Sequence, residues 1–90
     1  MSEPIVMAEP ISNGPGSVLH VQRGRVRETV GGIDRNDILI GWYWFTYDSN
    51  TLGIPCRNSC NDKVRYADER ECTEAALAFI RAALNGGHDR

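Results

Sequence analysis

The sequence predicts an α+β domain: a small antiparallel sheet of three to four strands with one C-terminal helix packed on one face. Three observations predict it. Residues 38–47 are dense in β-branched and aromatic side chains, the composition of a strand. Residues 18–30 read as two short arms around Arg23-Gly24, the pattern of a hairpin. Residues 68–85 carry an apolar stripe at helical spacing between recognisable start and stop residues.

Ninety residues with 41% hydrophobic and 24% charged side chains fit one folded domain rather than a disordered chain. A chain this short buries roughly 60–65% of its surface, so its core is small. The expected division is a flexible N-terminal arm at 1–16, the domain at 17–87 and a tail at 88–90. The arm holds Pro4, Pro10, Gly14, Pro15 and Gly16, which remove backbone donors or add chain entropy. Its apolar triplet Ile5-Val6-Met7 offers either an edge strand or a segment docked on the body.

The hairpin follows. A turn at Arg23-Gly24 sets Val21 opposite Val26, with Leu19 on the same side. His20, Arg27, Val18 and Thr29 then share the other side. Gly31-Gly32 with Asp34, Asn36 and Asp37 is turn chemistry and is expected as a loop. In the strand at 38–47, one face carries Ile38, Ile40, Trp42, Trp44 and Thr46, and the other Leu39, Gly41, Tyr43, Phe45 and Tyr47. Both faces are apolar, whereas a strand wet on one side alternates apolar with polar. Residues 51–61 are irregular, with Pro55 and the polar run Arg57-Asn58-Ser59 opposing a central strand. Residues 62–67 suit a short last strand on which Val64 and Tyr66 share a face. In the helix, Asp68 is the N-cap and Glu71 completes a capping box. Cys72, Ala75, Ala76, Phe79, Ile80 and Ala83 form its buried face, and Asn85-Gly86-Gly87 ends it.

The formal net charge is −2, from ten basic and twelve acidic residues. That balance argues against nucleic acid as a partner. No segment has the length and apolarity of a membrane helix, and residues 1–10 lack the pattern of a signal peptide, so a cytoplasmic location and reduced cysteines are expected. Cys56, Cys60, Cys72 and His88 offer a formal zinc set, but Cys72 belongs to the helix stripe. Asp34, Asp37, Asp48 and Asp62 fall in turns rather than in a desolvated pair, so no enzyme and no cofactor is expected.

The aromatic strand therefore carries the functional reading. One alanine-rich helix covers one face of a sheet, and the other face needs the arm, a second copy or a foreign surface. Trp42, Tyr43, Trp44 and Tyr47 are the candidate contact residues, with Arg25 and Arg27 at the rim. The leading expectation is a non-enzymatic protein-binding module, with a homodimer as one form of it. The alternatives are a small nucleic-acid-binding protein using the arginine hairpin and the aromatic face, or a zinc-stabilised module. A small, mildly acidic chain with a short sheet and one helix at 68–85 also resembles, in overall organisation, phage-encoded inhibitor proteins of the anti-CRISPR type. That resemblance implies a stoichiometric inhibitor occupying the surface of a host nuclease complex.

Overall fold

A computed structural model describes residues 4–36, 41–49, 52–60 and 65–86. Five strands form one antiparallel sheet in chain order: β1 (Ile5–Pro10), β2 (Ser17–Arg23), β3 (Val26–Asn36), β4 (Gly41–Thr46) and β5 (Arg57–Asn58). The single helix, α1 (Glu69–Leu84), lies on one face. The α+β class stands, with one strand more than the sequence indicates.

Two strands fall outside the expected ones: β5 lies in the segment expected to be irregular, and β1 in the segment expected as a flexible arm. Ile5–Pro10 pairs along its whole length with Ser17–Gln22. Val6 and Ala8 turn toward the helix and join the core, so apolar burial holds the segment against the entropy its prolines and glycines add.

The β2–β3 hairpin turns at Gly24-Arg25, one residue later than expected. Gly24 has φ 61°, the left-handed backbone that a two-residue hairpin turn demands. Arg23 now opposes Val26, and Val21 opposes Glu28. The pairing has moved by two residues, a full strand period, so every side chain keeps its expected face.

The loop expected at 31–37 is instead the second half of β3, as far as Asn36. Leu19 opposes Gly31 while His20 opposes Thr29, so Val30 is an extra, bulged residue. The glycines serve close approach rather than a turn. A Cβ on Gly31 would lie 2.1 Å from the Phe45 carbonyl oxygen. A Cβ on Gly32 would lie 2.8 Å from the Phe45 ring. Thanks to the bulge, Val30 and Ile33 are both buried despite opposite sequence parity.

β4 is held on its outer side by β5 and by a two-bond bridge between Trp42 and Tyr66 (2.9 and 3.0 Å). Tyr66 is what the described residues retain of the strand expected at 62–67; residues 37–40 and 62–64, including Ile38, Leu39, Ile40 and Val64, lie outside them. The segment before β5 folds back through a Ser49–Ile54 bridge and places Leu52 and Ile54 in the core. Thr46 Oγ1 donates to the Pro55 carbonyl at 2.8 Å and ties this segment to β4.

Helix α1 follows the sequence closely. Asp68 accepts from the Glu71 amide at 2.8 Å, Glu69 and Glu71 occupy the first turn, and Gly86 takes φ 73° past the C-cap Asn85. Cys72, Ala76, Ile80 and Ala83 are buried against Leu19, Val21, Val30, Ile33 and Trp44. The molecule is 18 Å across its thinnest dimension, which suits one sheet and one helix layer.

Candidate functional site

In an antiparallel sheet, directly opposed residues project to the same face. The register therefore divides the candidate residues without ambiguity. Trp44 opposes Ile33, and Trp42 stands two residues away on the same face. That face is the helix side. Trp44 is 7% exposed and its ring lies 4.9 Å from the Phe79 ring. Trp42 is half-buried against the same core. Trp44, expected as a contact residue, is thus part of the filling between sheet and helix, while Trp42, expected there too, keeps part of its surface accessible. The buried Trp44 indole N–H finds no hydrogen-bond partner among the described residues.

Tyr43, Phe45 and Tyr47 project to the opposite face. Their rings follow one another along β4, with centroids 6.1 Å apart for Tyr43–Phe45 and 5.7 Å for Phe45–Tyr47. These spacings and the tilted and edge-on angles are those of favourable aromatic pairs. Phe45 leans across Gly32, which is its direct partner on β3. The missing side chain on β3 is thus what lets the ring lie down. Tyr47 is 52% exposed, and Tyr43 and Phe45 are half-buried. Phe45 was placed on this face by its parity but was not singled out as a contact residue.

The register continues the face across the sheet. One row runs Glu9, Val18, Gly32, Phe45 and Asn58; the next pairs Met7 with His20 and Thr29. Glu9 accepts from His20 Nε2 at 3.0 Å, and Thr29 Oγ1 lies 3.3 Å from His20 Nδ1. Arg27 approaches the same Glu9 carboxylate at 3.8 Å. Three strands are thereby tied by one polar cluster. At the other end Asp34 opposes Tyr43. Burial pushes the Tyr43 phenol up from its ordinary pKa, and the Asp34 carboxylate pushes it further. Among the described residues no second layer covers this face. Residues 5–10 of the expected arm lie in the plane of the sheet as β1 rather than over this face.

The expected rim residues separate. Arg27 sits on the open face, exposed but engaged with Glu9. Arg25 sits in the hairpin turn, exposed. The cysteines differ in exposure: Cys56 is exposed, Cys60 half-buried and Cys72 buried, all as free thiols. Burial pushes the Cys72 thiol up to about 12, with Glu69 adding to the effect. Among the described residues no group of three or more metal-ligating side chains comes together, and His88 lies outside them. No described helix is long and apolar enough to cross a membrane.

No family model matches the chain, and neither a curated protein nor a solved structure matches it.

Proposed function

We propose that this chain is a non-enzymatic protein-binding module whose contact surface is the open face of the sheet. The observation that carries the reading is the aromatic row Tyr43–Phe45–Tyr47, standing on the face opposite the helix. Tyrosine and phenylalanine offer large, stiff contact area at little entropic cost, and such a row exposed to water is unfavourable unless something covers it. Phe45 and the two tyrosines are the anchors, and Arg27 belongs to the rim.

A protein fits this surface better than a nucleic acid does. Asp34 stands beside Tyr43, and Glu9 lies in the same row as Phe45 and draws on Arg27. Carboxylates placed among the rings repel the phosphates that would accompany stacked bases. The test is a photo-crosslinking amino acid placed at position 47, and separately at Val26, in the cells that encode the protein. Val26 is also exposed and apolar, but it lies on the helix side of the hairpin tip. A discrete protein adduct from position 47 and none from 26 supports the reading. Adducts from neither position, or equally from both, remove it.

The resemblance to small phage inhibitors narrows the reading to a stoichiometric blocker of a host defence nuclease complex of the CRISPR type. This narrower form rests on overall organisation. Adding the purified protein to such a complex at equimolar ratio and measuring DNA cleavage tests it; undiminished cleavage across the complexes tried rejects it.

A further inference from the structure

β1 is at the end of the sheet order, so alternate backbone N–H and C=O groups along Ile5–Pro10 face away from β2. Sheet edges are usually blunted by prolines or charges. Here the blunting is confined to the ends, where Pro4 and Pro10 supply no N–H. Between them Ile5, Val6, Met7 and Ala8 carry no charge, and the Glu9 carboxylate is turned to His20 on the open face. Ile5 is 58% exposed. Among the described residues, an edge of five residues, roughly 17 Å long, is therefore open in its middle and closed at both ends.

Beside this edge, on the helix side, lies a concavity of about 340 Å³ lined by Pro4, Val6, Arg81, Leu84 and Asn85. Pro4, Val6 and Leu84 make apolar walls. Arg81 and Asn85 bring hydrogen-bond donors to the rim. Arg81 is exposed, and among the described residues no carboxylate lies within ion-pair distance of it. Strand edge, apolar hollow and a guanidinium without a carboxylate partner among the described residues thus meet in one place.

The geometry points to a second binding site, distinct from the aromatic face: a short extended peptide adds to β1 as a sixth strand, sets an apolar side chain in the hollow and places a carboxylate on Arg81. Backbone pairing supplies affinity without regard to sequence, and the side chains that alternate toward the helix supply selectivity. The terminal prolines favour a short peptide over a long sheet-to-sheet junction. A second copy of this chain fits less well. The carboxylate of its own β1, Glu9, projects to the face away from Arg81, and its prolines would fall within the junction.

The experiment uses the full chain and fluorescent peptides of alternating threonine and valine that end in leucine. One peptide has a free C-terminal carboxylate, one is the C-terminal amide, and one is the amide with a glutamate after the leucine. A fourth is the free acid N-methylated at alternate residues, made in both phases of the alternation. Binding is read by anisotropy. The free acid or the glutamate peptide is expected to bind saturably, and which of them does identifies the carboxylate as terminal or side-chain. The plain amide, and the Arg81→Gln variant with the acid, should each be weaker by about tenfold, the size of one charge-assisted hydrogen bond. One phase of N-methylation should abolish binding while the other leaves it, because only one set of N–H groups faces β1. The proposal is overturned if no peptide binds saturably, if both methylated phases bind like the parent, or if Arg81→Gln changes nothing. It is overturned too if the protein alone is a dimer that alanine substitution of Ile5 and Met7 separates, since the edge would then belong to a second copy.

Discussion

Trp42 and Trp44 share β4 with Tyr43 and Phe45, and Tyr47 follows directly after it, yet the two sets meet different neighbours. The tryptophans pack on the helix side of the core, where three of the four buried helix residues are small and the Trp44 ring lies against Phe79. The other three meet a neighbouring strand that supplies Gly32 where a side chain would stand. On the helix side, Trp44 is dry and Trp42 is half-buried against the core. On the open side, large rings complement a glycine and stay accessible. The same chemical class therefore serves stability on one face and, in the function proposed above, recognition on the other, and only the neighbour decides which. An aromatic strand is informative about function only after the layer opposite each face has been identified.

The contrast can be broken from the stability side first. Trp44→Ala should cost about 3–5 kcal/mol, as deletion of a buried aromatic does, measured by urea denaturation. Trp44→Phe should cost far less, because the indole N–H has no partner to lose. If Trp44→Ala unfolds no more easily than wild type, the helix face has been misassigned.

The two glycines sharpen it next. Gly31→Ala forces a Cβ onto the backbone of β4, which cannot yield, and should cost about 3 kcal/mol or more. Gly32→Ala meets mainly the end of the Phe45 ring, which can swing aside, and the Ser17 carbonyl oxygen at 3.3 Å, which needs to give by only a few tenths of an ångström. It should cost distinctly less while displacing the ring and weakening any contact made by the open face. Equal losses for the two would count against the view that Gly32 is there for Phe45.

Helix capping is a smaller effect, with a consequence on the covered face alone. Asp68→Ala should remove about 1 kcal/mol by freeing the Glu71 amide. Circular dichroism during thermal unfolding reads it, and an unchanged midpoint would show that the cap does not hold the helix on the sheet.

Cys72 supplies a pH test of the same face. Its thiol is raised from 9.0 to about 12 in the folded protein, so between those values the unfolded chain gives up a proton that the folded chain keeps. Its contribution is intact below pH 9 and falls as pH rises toward 12. Cys72→Ala should flatten that part of the stability profile, leaving the share of Tyr43, whose phenol is also raised. A profile parallel to wild type would place the thiol in water.

The smallest stability effect is expected at the most exposed ring. Tyr47→Ser should change folding by no more than about 0.5 kcal/mol, because the side chain is half in water. It should nevertheless remove the adducts and complexes formed through the open face. A large loss of stability in Tyr47→Ser would mean that the ring is structural.

Most of the local order was legible in the sequence. The cap at Asp68, the stripe from Cys72 to Ala83 and the stop at Asn85-Gly86 follow from hydrogen bonds and side-chain spacing within one helix. The division of β4 into a tryptophan face and a tyrosine face follows from the period of a strand, and the pairing of faces in the β2–β3 hairpin survived a two-residue shift for the same reason. What misled was punctuation. Gly31-Gly32 reads as a turn because glycine is most often needed for backbone freedom, and here it is needed for room. Pro4 and Pro10 read as a loose arm because proline breaks ladders, and here they stand at the two ends of one.

The sequence by itself determined which residues share a face, where the helix begins and ends, and that one strand has two apolar sides. Those properties depend on backbone geometry over a few residues. Tertiary structure alone decided that Trp44 is covered and the Tyr43–Phe45–Tyr47 row is not, that Leu52 and Ile54 belong to the core, and that β1 rather than a helix takes the sheet's first edge. Those outcomes depend on which distant surface arrives first at each apolar face. Such a choice is made by packing between elements, and no local pattern in the chain encodes it.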